Sequence, residues 1–200
     1  MAISYAIDIS GNPYAKTIIG SVSFDTKTFS KMWKDFEKTF PNYTKKKGRD
    51  LDRRDLKKII DFLDFWKVHM CSVEFGERQW EYFKRMLKDK SAPKERVIGI
   101  LYFKLLQKFS KKGYTYSVVF DDDSFIDVRK AIRFCQRLAD ANKYSYRPTI
   151  GFAKTSKEIK FADFVASAHR KIRKKTLHQI EHFSIINPHI IKRELDGTFM

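Results

Sequence analysis

A chain of 200 residues has room for one domain with a sizeable core. Apolar residues make up 42% and aromatics 15%, which excludes a disordered chain, and no apolar run approaches the length of a membrane span. The formal charge of +17, from 41 Lys and Arg against 24 Asp and Glu, favours polyanionic partners, nucleic acid first and an anionic membrane second, although Lys-rich surfaces also occur without such a ligand.

In chain order, ISYAIDI over residues 3–9 alternates as a strand, with Tyr5, Ile7 and Ile9 on one face and Ser4, Ala6 and Asp8 on the other. Ser10-Gly11-Asn12-Pro13 is a turn, and KTIIGSVSF over 16–24 is a second strand, antiparallel to the first because the connection is short. Asp25 or Thr26 caps a helix to about residue 39, which Pro41 ends. A charged connector leads to a helix over about 51–65, striped by Leu51, Leu56, Ile59, Ile60, Leu63 and Phe65, and to a strand over 66–74. Helices fit 77–89 and 94–111, a strand 114–121, a helix 125–141, a strand 147–153 and a long helix 157–181. The order predicts a mixed α/β fold with one central sheet flanked by helices, a single domain over 1–200 with helical insertions at about 26–65 and 77–111. Cys71 and Cys135 lie in apolar segments without CxxC spacing and read as buried thiols. Asp8 interrupts the N-terminal apolar stretch before a signal peptide could form, so the expected location is cytoplasmic. No phosphate-binding loop or dinucleotide fingerprint is present, so no organic cofactor is expected.

Three acidic residues stand in apolar surroundings: Asp8 near the end of the first strand, Asp121 at the end of SVVFD, and Asp163 inside IKFADFVASAH. A carboxylate so placed is costly to desolvate and needs a cation or hydrogen-bond donors. Two strand ends and one covering helix can bring three carboxylates to one point, a hard-oxygen site suited to Mg2+ or Mn2+ and to hydrolysis of a phosphodiester. Ala162, Ala166 and Ala168 are small enough to let the last helix lie close to the sheet. Plainer roles exist for each: Asp8 as a turn acceptor, Asp121, Asp122 and Asp123 as a helix cap with any one of them able to ligate, and Asp163 as the partner of Arg170 or Lys160. Two basic runs, Lys45-Lys46-Lys47-Gly48-Arg49 and Arg170-Lys171-x-Arg173-Lys174, supply candidate phosphate contacts, with Tyr43, Tyr144 and Tyr146 as candidate stacking residues. His178 and His182 stand at i, i+4 spacing that could bind a transition metal but read as packing residues, and His169 is a candidate proton shuttle beside Asp163.

Asp8-Ile9-Ser10-Gly11 resembles the opening D-E-S-G signature of the domain-of-unknown-function-3800 family, VVFD resembles its central strand-end aspartate, and IKFADFVASAHR resembles its terminal I-Q-x-A-D-x-x-A-G helix. The resemblance implies a ribonuclease-H-like fold and a divalent-metal, nuclease-like acidic site at Asp8, Asp121 and Asp163; with Asp122 as a further candidate ligand from the acidic cluster, the expected activity is hydrolysis of phosphodiester bonds in RNA, DNA or a hybrid. This chain departs from the pattern at Ile9, at Phe161 and at Lys45-Lys46-Lys47-Gly48, which lacks the family's glutamate. A fourth ligand would then come from Asp50, Asp52 or Glu74. The alternative is a nucleic-acid-binding protein that keeps the fold without cutting.

Overall fold

Strict alternation decides the first element. Tyr5, Ile7 and Ile9 enter one buried cluster, and Ala6 enters a second on the opposite face, the side that Asp8 shares. The computed structural model describes residues 3–11, 16–86, 93–122, 124–152, 155–172 and 176–184. Strand β1 (Ile3–Gly11) pairs antiparallel with β2 (Thr17–Asp25). Asp25 then caps α1 (Thr26–Thr39) by accepting from the Lys27 N–H, and Asp52 caps α2 (Arg53–Phe65) by accepting from Asp55. There follow β3 (His69–Phe75), α3 (Glu77–Met86), α4 (Pro93–Phe109), β4 (Thr115–Asp121), α5 (Val128–Ala141), β5 (Ser145–Gly151), α6 (Lys157–Lys171) and β6 (Ile180–Ser184).

The strands form one mixed sheet in the order β5-β4-β1-β2-β3-β6, in which β2 runs against both neighbours and the other pairs are parallel. Pro148 lies on the edge strand β5, where a missing N–H is tolerated. Helices α4 and α5 cover the Tyr5–Ile7 face, whereas α1, α2 and α6 cover the Ala6 face. This is the expected mixed α/β sheet flanked by helices. Cys71 and Cys135 are buried free thiols, as their apolar settings predicted. Among the described residues no helix is long and apolar enough to cross a membrane.

The last part of the chain differs from expectation. Helix α6 stops at Lys171, ten residues before the predicted end, and Ile172 is extended. The chain then buries Leu177 and Ile180 and adds β6 parallel to β3. Sheet pairing and burial outweigh the helix propensity of a Lys- and Arg-rich segment. His178 and His182 are therefore not one helical turn apart: His178 lies in a turn and His182 on β6. Phe65, placed in the apolar stripe of α2, is 75% exposed, since it is the last residue of the helix and has rotated past the core.

Candidate functional site

Strand pairing alone defines a row across the sheet. Gly151 is opposite Asp121, Asp8 opposite Gly20, Gly20 opposite Ser72, and Ser72 opposite His182. Between the two halves, β1 and β4 are parallel with Ile7 opposite Phe120, and one further step brings Asp8 level with Asp121. Directly opposite residues share a face, so both aspartates lie on the α6 side, Asp121 as the last residue of β4 and Asp8 three residues before the end of β1. Asp8 is 4% exposed, and Asp121 is half-buried. Asp122 is exposed just beyond, its N–H bonded to the Gly151 carbonyl.

Helix α6 reaches this row because both surfaces are small. A Cβ on Gly20 would lie 2.5 Å from the Ala162 carbonyl oxygen and from the Ala166 nitrogen. Only glycine fits beneath that helix, and the predicted role of Ala162 and Ala166 in letting it approach is what the packing shows. At the start of α6, Ser156 and Ile159 would be the neighbours of a Cβ on Gly151.

Asp163 lies on a different side of α6 from the sheet. One carboxylate oxygen accepts from the Gly48 N–H at 2.8 Å, and the other accepts from the Ser167 hydroxyl at 3.3 Å. Burial raises its pKa above the usual carboxylate range, against the pull of those two bonds and of the Lys47 and Lys160 charges. The expected meeting of Asp8, Asp121 and Asp163 is not seen: among the described residues no three His, Cys, Asp or Glu side chains are grouped to hold a metal ion. Asp123 lies outside the described residues.

Asp163 instead anchors the basic loop. Besides the Gly48 bond, the Lys160 ammonium donates to the Lys46 carbonyl at 3.2 Å, and the Lys171 ammonium donates to the Arg49 and Leu51 carbonyls at 2.6 Å each. A Cβ on Gly48 would strike the Ser167 side chain, with its Cβ at 2.7 Å, so the close approach requires glycine. Lys171, expected to contact phosphate, spends its ammonium on these carbonyls. Lys46 lies over the Tyr43 ring at 5.8 Å. Lys45, Lys47, Arg49 and Lys160, with Thr44 and Asp50, line a cavity of 360 Å3. Burial lowers the Lys160 pKa, the neighbouring Lys47 charge adds to that, and Asp163 opposes it. Arg170 donates to the Ser10 hydroxyl at 3.5 Å, beside the end of β1. Arg173 and Lys174 lie outside the described residues. Of the candidate stacking residues, Tyr43 stacks on Phe40, Tyr146 is buried against the Ile132 carbonyl, and Tyr144 packs on Phe103.

At the other end of the row is a network that sequence reasoning missed. Glu74 accepts from His169 Nε2 at 3.0 Å and pairs with Lys16 at 2.9 Å. His169 Nδ1 is 2.6 Å from the Ser72 hydroxyl, which is 2.8 Å from His182 Nδ1. With neutral rings, the His169 Nε2–H donates to Glu74, the Ser72 hydroxyl donates to His169 Nδ1, and the His182 Nδ1–H donates to Ser72. The acid–His–Ser order looks like an acyl-transfer triad, yet Ser72 is fully buried mid-strand, where no substrate reaches it. His169, the candidate proton shuttle, thus bonds to Glu74 and Ser72 of β3 and lies against His182 of β6.

A mixed six-stranded sheet in this order, flanked by helices on both faces, is a ribonuclease-H-like fold. The chain is similar over 88% of its length, and 76% of the other chain's, to ribonuclease H2 from Pyrococcus horikoshii OT3, with a TM-score of 0.58 and 14% identity. It is also similar to a chain of the PCNA:RNase HII complex from Archaeoglobus fulgidus, with a TM-score of 0.53, 10% identity, and coverage of 84% of this chain and 71% of that one. At such identities the likeness establishes the fold. No family profile and no curated protein matches the chain.

Proposed function

We propose that the chain is a divalent-metal-dependent nuclease that hydrolyses phosphodiester bonds of RNA, DNA or a hybrid. The observation that carries this reading is Asp8, within β1, level with Asp121 at the end of the adjacent parallel strand β4, on the face covered by α6. At the ~5 Å spacing of neighbouring strands, two full charges repel by roughly 3 kcal/mol at an effective dielectric of about 20. A hard dication relieves that repulsion, and the oxygen-only donor set suits Mg2+ or Mn2+, which needs one or two carboxylates and takes its remaining ligands from water and substrate phosphate. Asp8 and Asp121 would hold the ion, with Asp122 at the rim. Bound there, it would polarise a phosphoryl oxygen and acidify a water. Arg170, beside the end of β1, would contact the substrate backbone. The names of both structural neighbours favour a substrate with an RNA strand. The motifs resembling the domain-of-unknown-function-3800 family support the same aspartates.

The test is cleavage of labelled RNA, DNA and hybrid duplexes with manganese, comparing wild type with Asp8→Asn and Asp121→Asn. Both variants should lose cleavage while remaining folded. Wild-type activity in both would reject the proposal. The second reading, a protein that binds nucleic acid without cutting it, is favoured by one observation: Glu74, a candidate further ligand, is committed to His169 and Lys16. A ligand that binds only the native state must stabilise it, so an unchanged melting temperature at millimolar manganese would favour that alternative.

A further inference from the structure

We infer that the cavity between the basic loop and α6 is a binding pocket for a phosphomonoester group. Its 360 Å3 lies at the small end of the range for ligand sites of about 300–1,000 Å3. Of its six lining residues, Lys45, Lys47, Arg49 and Lys160 are cationic and Asp50 alone is anionic. Lys45 and Arg49 are exposed, Lys47 is half-buried, and Lys160 is only 5% exposed. Cations therefore reach from the mouth of the cavity into the protein. Lys160 donates to the Lys46 carbonyl, and an ammonium carries three N–H donors, so donors remain for an anion.

The loop is held before any ligand arrives. Gly48 is bonded to Asp163, and Lys171 binds the carbonyls of Arg49 and Leu51. Such ordering reduces the entropy that binding must remove. The same contacts sort the lysines that composition could not. Lys171 serves as a strut and Lys46 packs against Tyr43, leaving Lys45, Lys47, Arg49 and Lys160 at the cavity. Four cations against one carboxylate match a monoester, which carries about −1.5 to −2 near neutral pH, better than a backbone diester with a single charge. Such a group arrives either on the end of a polynucleotide or on a free phosphorylated compound. Asp8 and Asp121 have no part in it, so the pocket stands without the nuclease reading.

The experiment titrates the full chain calorimetrically with inorganic phosphate, then with 5′-phosphorylated and 5′-hydroxyl forms of one oligonucleotide. Phosphate should bind at one site, roughly tenfold or more weakly in Lys47→Gln/Arg49→Gln. Lys111→Gln, on the α4–β4 turn, should bind like wild type. Asp50→Asn, which can keep the acceptor for the Lys47 N–H, should bind phosphate more tightly, a gain that misfolding cannot mimic. A preference for the 5′-phosphorylated oligonucleotide that disappears in the double variant assigns the pocket to polynucleotide ends. Equal affinity for the two oligonucleotides with phosphate binding intact assigns it to free phosphorylated compounds. No phosphate binding at millimolar concentration, or binding unaltered in the double variant, overturns the inference. Asp8→Asn should leave phosphate binding unchanged, so failure here and failure of the nuclease proposal are separable.

Discussion

Asp163 separates two accounts of α6, and a pair of substitutions tells them apart. Its carboxylate accepts from the Gly48 N–H at 2.8 Å, at a glycine that is itself buried. Asp163→Ala leaves that donor without its acceptor, at a cost of about 1–3 kcal/mol. The better helix propensity of alanine returns about 0.5 kcal/mol, so the net effect remains destabilising. For a chain of this size the loss corresponds to roughly 2–10 °C of melting temperature. Asp163→Asn keeps an oxygen for Gly48 and an amide that can donate to Ser167, and it removes a charge that burial disfavours. Its melting temperature should equal or exceed that of wild type. Thermal melts of both variants, run beside manganese-dependent cleavage, are the assay. If Asn destabilises as much as Ala, the Gly48 bond is not what Asp163 contributes. If Asn melts like wild type but cleaves nothing, Asp163 serves cleavage as well as anchoring the loop.

The same residue predicts a pH dependence. Its folded pKa is raised, so the fold prefers the neutral carboxyl: that stability is fully present below the ordinary carboxylate value and is lost as pH rises through the raised one. The stability advantage of Asp163→Asn should thus be absent in acid and grow across that window in urea titrations; a constant difference would contradict the burial. Gly48→Ala forces a methyl group against Ser167 and the backbone of α6, and should cost about 1–3 kcal/mol while loosening the loop enough to weaken phosphate binding. Wild-type melting and binding would refute the close packing. Cys71 and Cys135 are buried, with thiol pKa values pushed up to about 12, so a thiol reagent at neutral pH should label neither until the chain unfolds. Rapid labelling of the native protein would show an opening absent from this structure.

Sequence reading succeeds where one local rule decides. The alternation of Tyr5, Ile7 and Ile9 against Ala6 and Asp8 fixes which face each side chain takes, and Asp25 and Asp52 mark helix starts by their caps. It fails where a distant contact decides. No periodicity in RKKTLHQIEHFS reveals that Ile180 will pair beside Met70, so the sequence carries the helix on to about residue 181 and shows no sixth strand. With the chain after residue 181 read as a tail, the meeting of His182 with Ser72 and His169 carries no visible signal. Asp163 stands out in the sequence as a carboxylate in apolar surroundings that needs a cation or hydrogen-bond donors. Its main donor, the Gly48 N–H, is 115 residues away and carries no side-chain signature. Gly48 itself was the available clue, a glycine amid lysines where nothing local demands one.

Helix α6 serves two surfaces at once, and this sets how the proposed functions would separate under mutation. Its Ala162–Ala166 side lies on Gly20, the strand partner of Asp8, and so fixes the cover over the acidic strand ends. Its Lys160–Asp163–Lys171 side fixes the basic loop by four hydrogen bonds to backbone groups. Because those bonds go to backbone groups, the loop side chains can change without moving the helix, and the strand-end carboxylates can be neutralised without releasing the loop. Chemistry and anion binding are then independent faults. A Gly20→Ala change, which lifts α6 itself, is the one perturbation that should impair both together.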